Sequence, residues 1–312
     1  MDLREMYRPL KHMSPTSCCC GARCWRKYFF EKRLGLSDPS RSKTALIYGD
    51  AMHWGLPWCY QGTPESLKIG IEAFGKRWGD TKGDDARNPA RAALSLGYFM
   101  QTHNPSVCPY TVFKVPSTVK VVEEERASEW EVPFALDVGC PVPVVGKIDA
   151  VGRGKHNNKI WAVEFKTSYE ESDRLLLGFV LNPQILTYEL ALLTMVPGEP
   201  VGGTFLEVIL TSKYKFQTCT QPIEFNENSI DILLYWYKQW YHEFSIRENM
   251  FLETGLVDSF EPQISHCTTY SGFGMPGYLC DYQRICTRPV DEWEDIFGLY
   301  DVSPERPFIL EE

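Results

Sequence analysis

Apolar residues recur at helical spacing through roughly the first third of the chain and then change to runs and alternation. SPTSCCCGARCWRKYFFEKRLG (14–35) opens on Ser14 and Pro15, a helix-start pair, and closes on Gly35, so a short helix is expected there. LIYGDAMHWGLPWCY (46–60) predicts a second helix that Pro57 ends or kinks, and 64–107 is polar and helix-prone. From 118 to 166, VKVVEEE, EWEVPFAL, VPVVGKIDAVG and KIWAVEFKT alternate or run apolar between Gly, Pro and Asn breaks, which is a β pattern. LNPQILTYELALL puts Asn182 at an N-cap and Pro183 at the first helical position. A hairpin, GTFLEVILTSKY with QTCTQPIEF, precedes a long aromatic helix from Ser229 to about Asn249, and the tail after 255 is loop-rich. This order predicts an α/β fold, a central mixed β-sheet flanked by helices. One catalytic domain is expected over 1–312, with a helical N-terminal part (1–117), a core (118–254) and a cysteine-bearing C-terminal segment (255–312).

Two of the predicted strands carry charges that an apolar core does not tolerate alone. In VEFKTS, Glu164 and Lys166 share a face with Ala162 while Val163 and Phe165 point the other way. Asp149 is the lone acid of GKIDAVGR. If the two strands turn at His156–Asn157, positions 149 and 164 are equally far from the turn and face each other, with Cβ atoms ~4.5–5.5 Å apart. Carboxylates that close repel unless a divalent cation lies between them, as Mg²⁺ does with carboxylates and phosphate. Lys166 is then placed to orient a water or neutralise the phosphorane. The competing reading is a surface hairpin with a solvated charged face. Ile148, Ala150, Val151, Ile160, Trp161, Val163 and Phe165 are too apolar for an ordinary exposed sheet, and burying unpaired charge costs several kcal/mol.

Composition changes this picture in three places. A net charge of −9 is unusual for a nucleic-acid binder, although RCWRKYFFEKR (23–33) concentrates basic residues locally. In that segment Arg26 and Lys27, with Arg23, Lys32 and Arg33, are candidates for phosphate contact, and Trp25, Tyr28 and Phe29 for stacking. The alternative is an amphipathic helix with an aromatic core face. No apolar run reaches the ~18 residues of a membrane span, and MDLREMYRPLKHM is too charged for a signal peptide. Eleven cysteines, an odd number, argue against a disulfide framework, so a reducing cytoplasm is expected (the host's, for a phage-encoded chain). Four cysteines lie in 18–24 and three in 267–286; Cys59, Cys108, Cys140 and Cys219 are scattered and read as small buried hydrophobes.

Five stretches in order resemble the P-D-(D/E)-x-K superfamily of nucleases, and specifically its RecB-type iron–sulfur branch, which includes CRISPR-associated and phage RecB-like exonucleases. They are SPTS with CWRKYFF, Gly49 and His53 in YGDAMHWGL, GKIDAVGR, VEFKTS, and Gln184 with Tyr188. The resemblance implies a restriction-endonuclease-like core with Asp149, Glu164 and His53 as ligands of Mg²⁺ or Mn²⁺ and Lys166 as catalytic lysine. It implies that the Gln184–Tyr188 helix face approaches the nucleic-acid strand. An imidazole is a better ligand for Mn²⁺ than for Mg²⁺. Taken singly, His53 also reads as a packed histidine beside Trp54, and Tyr188 as a core aromatic.

The same resemblance implies a structural [4Fe–4S] cluster on Cys24, Cys267, Cys280 and Cys286, with Zn²⁺ as the competing occupant. This chain departs from the family by placing twelve residues between Cys267 and Cys280, and Cys18, Cys19 and Cys20 are substitute donors. The implied activity is a Mg²⁺- or Mn²⁺-dependent DNA exonuclease acting on ends or single strands, with DNA and no membrane as partner. A non-catalytic binding module on the same fold and a structure-specific endonuclease are the alternatives.

Overall fold

Four helices start on the same two-residue device, a polar N-cap followed by proline at N1. Ser14, Thr63, Asn88 and Asn182 each accept a backbone N–H of the first turn, and Pro15, Pro64, Pro89 and Pro183 follow them. The cap satisfies an orphan donor and the proline presets φ for the helix. The structure, a computed structural model, describes residues 2–39, 43–117, 130–168, 178–211, 216–263, 280–286, 288–289 and 292–303. The VKVVEEE run and Cys267 lie outside the described residues.

In chain order, helices α1 (Pro15–Arg23) and α2 (Trp25–Tyr28) lead through a π-helical turn, Phe29–Arg33, to strand β1 (Leu36–Ser37). Helices α3 (Thr44–Cys59), α4 (Pro64–Trp78) and α5 (Pro89–Thr102) follow. Next come strands β2 (Tyr110–Val112), β3 (Trp130–Leu136), β4 (Val144–Gly154) and β5 (Ile160–Ser168), then α6 (Pro183–Met195). Strands β6 (Val201–Thr211) and β7 (Phe216–Glu224) precede α7 (Glu227–Thr254), α8 (Gln283–Cys286), α9 (Trp293–Phe297) and β8 (Asp301–Val302). Two compact units result. One is Met1–Ser42, Leu136–Val145 and Asp231–Phe308; the other is Lys43–Ala135, Gly146–Ile230 and Ile309–Glu312.

The first unit shows where the basic, aromatic N-terminal segment goes. The expected helix over 14–35 breaks at Cys24, whose backbone is extended (φ −162°, ψ 109°) and whose sulfur accepts the Lys27 N–H at 3.5 Å. Gly35, at φ +70°, ends the segment as expected. Tyr28, Phe29 and Phe30 are fully buried and Trp25 nearly so. They pack edge-on or tilted against Trp240, Phe244, Phe251 and Phe260, so the aromatic residues form a core face rather than a stacking platform.

The second unit carries the mixed sheet, in the order β2-β4-β5-β6-β7, with β3 also pairing β4. The β4–β5 and β6–β7 pairs are antiparallel, while β5 and β6 run parallel. A parallel neighbour requires a crossover, and α6 supplies it. One face of the sheet (Ala150, Trp161, Val163, Phe165, Phe205 and Ile209) packs under α3, α4 and α5 with Tyr48, Met52, Leu56, Phe74, Leu96 and Phe99. The other face (Leu206, Val208 and Leu210) packs with Ile185 of α6 and with Ile223. The α/β class with a mixed sheet between helices is therefore as expected. No described helix is long and apolar enough to cross a membrane.

A bulge sets the register of the parallel pair. Ile160 pairs with Val201 but Trp161 pairs with Gly203, leaving Gly202 between them. A Cβ on Gly202 would stand 2.2 Å from the Trp161 ring, and one on Gly203, at φ +129°, 2.0 Å from the Ile223 carbonyl oxygen. Only glycine fits this junction. Gly203→Ala is expected to lower unfolding free energy by about 3 kcal/mol in urea titrations. Gly75→Ala, in an exposed turn of α4 with no atom within 4 Å, is expected to leave it unchanged or raise it by up to about 1 kcal/mol.

Candidate metal centre and active site

The β4–β5 register decides which charges meet. Ala150 faces Val163, Val151 faces Ala162 and Gly152 faces Trp161. One step further along the same register, Asp149 comes opposite Glu164, as a turn about His156–Asn157 requires. Both acids are buried, Asp149 at 8% exposure and Glu164 at 1%. On β6, Glu164 lies beside Leu206 and Lys166 beside Val208, on the face covered by α6.

Side chains from three elements compensate this charge. The Lys166 ammonium pairs with Glu164 Oε1. Gln184, in the first turn of α6, donates through Nε2 to Glu164 Oε1 at 3.0 Å and to the Tyr188 hydroxyl at 2.7 Å. Its Oε1 accepts from Lys166 Nζ at 3.3 Å. Gln184 thus spans both members of the ion pair. Glu164 Oε2 is buried and has no hydrogen-bond partner among the described residues. Asp149 Oδ2 accepts the Phe165 backbone N–H at 2.7 Å, and Oδ1 lies 3.3 Å from Nδ1 of His53 on α3.

A third acid joins on the His53 side. Glu131 of β3 places Oε1 3.9 Å from His53 Nδ1, and one donor atom each of His53, Glu131 and Asp149 lies within 4.8 Å of the others. Glu131 is one of two described non-glycine residues with positive φ, at +56°. Sequence reasoning missed it. In β3 the buried residues alternate (Trp130, Val132, Phe134, Leu136), so strict alternation assigns Glu131 to the outer face. Glu164 stands outside this tight trio, yet Asp149 and His53 both act on its ionisation.

The protonation states follow from burial set against near neighbours. For His53, burial opposes the charged form, but the Asp149 and Glu131 carboxylates raise its pKa well above the ordinary value. For Asp149, burial raises and His53, the Phe165 amide and Lys166 lower, with a net lowering. Burial and Asp149 push Glu164 up to about 7 against the pull of Lys166 and His53. Burial disfavours the Lys166 ammonium, and Glu164 and Asp149 outweigh it, so its pKa rises. Imidazolium and ammonium together act as the counter-cations of three carboxylates.

A hard divalent ion suits this donor set. It offers carboxylate oxygens and one imidazole, and the orphaned Glu164 Oε2 is an oxygen that a cation would satisfy.

The remaining expected residues fall as follows. Tyr188 is buried beneath the Phe134 ring, 6.0 Å away. Arg26 is only 6% exposed; Nε donates to the Phe260 carbonyl at 2.7 Å, Nη2 to Asp258 Oδ1 at 3.2 Å, and the guanidinium lies over Trp293. It is spent inside its own unit and has no face left for a phosphate. Lys27 is partly exposed and lies 4.0 Å from Glu31. Cys24 is buried, and Cys280 and Cys286 are half-buried. Burial raises the Tyr282 hydroxyl pKa, and Glu31, Asp281, Cys20 and Cys280 add to the shift. Among the described residues, no three cysteines bring their sulfurs within 4.8 Å of one another.

A family profile described as the PD-(D/E)XK nuclease superfamily matches residues 12–287. Among solved structures, a candidate exonuclease from Eubacterium rectale aligns with a TM-score of 0.42 and 13% identity, covering 78% of this chain and 82% of its own. A second, SSO0001, aligns with a TM-score of 0.33 and 12% identity, covering 80% of this chain and 88% of its own. No curated protein matches the sequence.

Glu164 makes stability depend on pH in a defined direction. The unfolded chain releases this proton near the ordinary value of 4.5, while the folded chain keeps it to about 7. Across that window the folded state holds the extra proton, so stability falls as pH rises and the penalty is complete above about 7. Urea titrations in EDTA from pH 4 to 8 are expected to show that decline, and Glu164→Gln is expected to make it shallower, the remainder coming from buried Glu189, pushed up to about 8 by desolvation.

Proposed function

This chain belongs to the PD-(D/E)XK nuclease superfamily, and we propose that it is a Mg²⁺- or Mn²⁺-dependent deoxyribonuclease that hydrolyses phosphodiester bonds at DNA ends or in single strands. The observation that supports this most is the burial of Asp149 and Glu164 on facing strands, with an orphaned oxygen and Lys166 beside them. A binding module has no use for such an arrangement, which costs stability wherever no cation relieves it.

In this reading His53, Asp149 and Glu164 hold the metal. When bound, a divalent ion lowers the pKa of a water and balances charge on the scissile phosphate. Lys166 presents its ammonium to the phosphate oxygens or the attacking water, and Gln184 keeps that ammonium and Glu164 in register. No serine or cysteine nucleophile is needed. Tyr188, buried one turn further along α6, supports Gln184 by accepting from its Nε2. Of the basic pair at 26–27, Lys27, partly exposed beside Glu31, is the one retained for the DNA path.

We further read Cys24, Cys280 and Cys286 as ligands of a structural [4Fe–4S] cluster, with Cys267 or Cys20 completing it and Zn²⁺ as the alternative. What supports this is the resemblance together with the grouping of the cysteines at 18–24 and 267–286. Spacing alone does not separate the two metals, and the resemblance to the iron–sulfur branch is what favours iron.

Two measurements test this reading. With Mn²⁺, the protein is expected to degrade linear single- or double-stranded DNA and to leave closed circular DNA intact. Asp149→Ala and Lys166→Ala are expected to lose on the order of 100-fold or more in rate. Nicking of closed circles would make it an endonuclease, and equal inactivity of wild type and variants at ample Mn²⁺ would leave a binding module. Protein purified without oxygen is expected to be brown, with about four irons per chain; zinc in their place refutes the cluster.

A further inference from the structure

We propose that Val180 and Leu181 form an apolar wedge that contacts nucleobases at a duplex end and opens the last base pair, so that one strand reaches Lys166. The proposal rests on the DNA nuclease reading and deepens it by naming how a duplex end is admitted.

The corner that precedes α6 places both residues. Residues 178–180 are helical, Leu181 lies in the turn, and Asn182 caps α6. The corner is fixed on both sides. Phe179 packs against the cluster of Ile185, Leu206, Val208, Leu210 and Ile223, and its carbonyl accepts the Asn182 N–H at 3.1 Å. Asn182 Oδ1 accepts the Gln184 N–H at 2.9 Å, and Gln184 Oε1 accepts from Lys166 Nζ at 3.3 Å. Between these anchors the two aliphatic side chains stand in solvent, Val180 48% and Leu181 67% exposed. A Cβ on Gly178 would meet nothing within 4 Å, so the approach is open. Leu181 is three residues from Gln184, which keeps their Cα atoms at most ~11 Å apart. That is the rise of roughly three base steps.

Apolar residues exposed singly are ordinary on a surface; here two stand together on a fixed corner beside Lys166. The neighbourhood selects which part of a nucleotide they meet. Residues 178–195 contain no lysine or arginine, so this stretch offers a phosphate no cation of its own, and Lys166 supplies the charge from β5. A strand whose phosphate sits at Lys166 has its bases, the apolar and stackable part, left for the aliphatic corner. Aliphatic side chains that enter between base steps unstack them, and the cost is least where a base is only weakly paired. Because the corner is anchored before DNA arrives, binding has little of it to order.

The test uses a blunt duplex with 2-aminopurine in its last base pair, bound to saturation in Ca²⁺ so that fluorescence is read without cleavage. The wild type is expected to raise the emission as the base unstacks. Val180→Ser/Leu181→Ser is expected to bind without that rise, and Leu181→Met to keep it. With Mn²⁺, the double variant is expected to lose roughly tenfold in kcat/KM on the blunt duplex and to stay within about twofold of wild type on single strands. Val107→Ser, which removes an exposed apolar side chain ahead of β2, at the turn end of β4, is expected to change neither readout. Equal losses on both substrates would make the corner a support for Gln184, and an unchanged rise in the double variant would leave the bases untouched. Either result overturns the proposal, as does a wild type that cuts DNA but never raises the emission. A wild type that cuts neither substrate fails differently, because it removes the nuclease reading itself.

Discussion

Two carboxylates facing one another across an antiparallel strand pair set the terms for everything around them. Asp149 and Glu164 are buried, so each needs compensation from a fixed direction, and each source belongs to a different element. Lys166 comes from the same strand, two residues on; Gln184 comes from α6, and His53 from α3. The parallel pairing of β5 with β6 is what brings α6 there, because a crossover helix starts where the first strand ends. Its first turn, with partly positive N–H groups, therefore arrives beside Lys166 and Glu164. Topology and electrostatics are one requirement at this site.

The glycine bulge at the start of β6 serves the same end from a distance. Past Gly202 the register is unbroken, and Glu164 and Lys166 lie level with Leu206 and Val208. A slip of one residue would send both charges to the aromatic face under α3–α5, where Phe165 and Phe205 now sit. The Trp161 ring fills the space of a Cβ on Gly202 and the Ile223–Phe225 backbone that of one on Gly203, so the junction has little freedom to slide.

Much of this was legible in the sequence. The meeting of positions 149 and 164 follows from a turn centred on His156–Asn157, because an antiparallel hairpin conserves the sum of paired positions. The Asn182–Pro183 start of α6 likewise follows from local chemistry alone. Glu131 did not follow. No tight turn ties β3 to β4, and a left-handed residue escapes the alternation by which strand faces are read. The break at Cys24 was hidden because cysteine is seldom a helix cap, yet its sulfur serves as one. Arg26 shows the limit of charge as a guide, since its aliphatic stem and stacked guanidinium suit an aromatic core as well as a phosphate.

The two units are also interleaved along the chain. One takes residues up to Ser42, a short return at Leu136–Val145, and then Asp231–Phe308; the other occupies most of what lies between. A ribosome making this protein finishes the sheet and its helices while more than half of the other unit is still unmade. At ordinary elongation rates the 78 residues from 231 to 308 take roughly 4–16 s to appear. During that interval Trp25, Tyr28 and Phe29 have emerged without the α7 rings that cover them. The nascent chain thus carries an uncovered aromatic ridge for seconds, a binding mark for chaperones and the place where premature association between growing chains would begin.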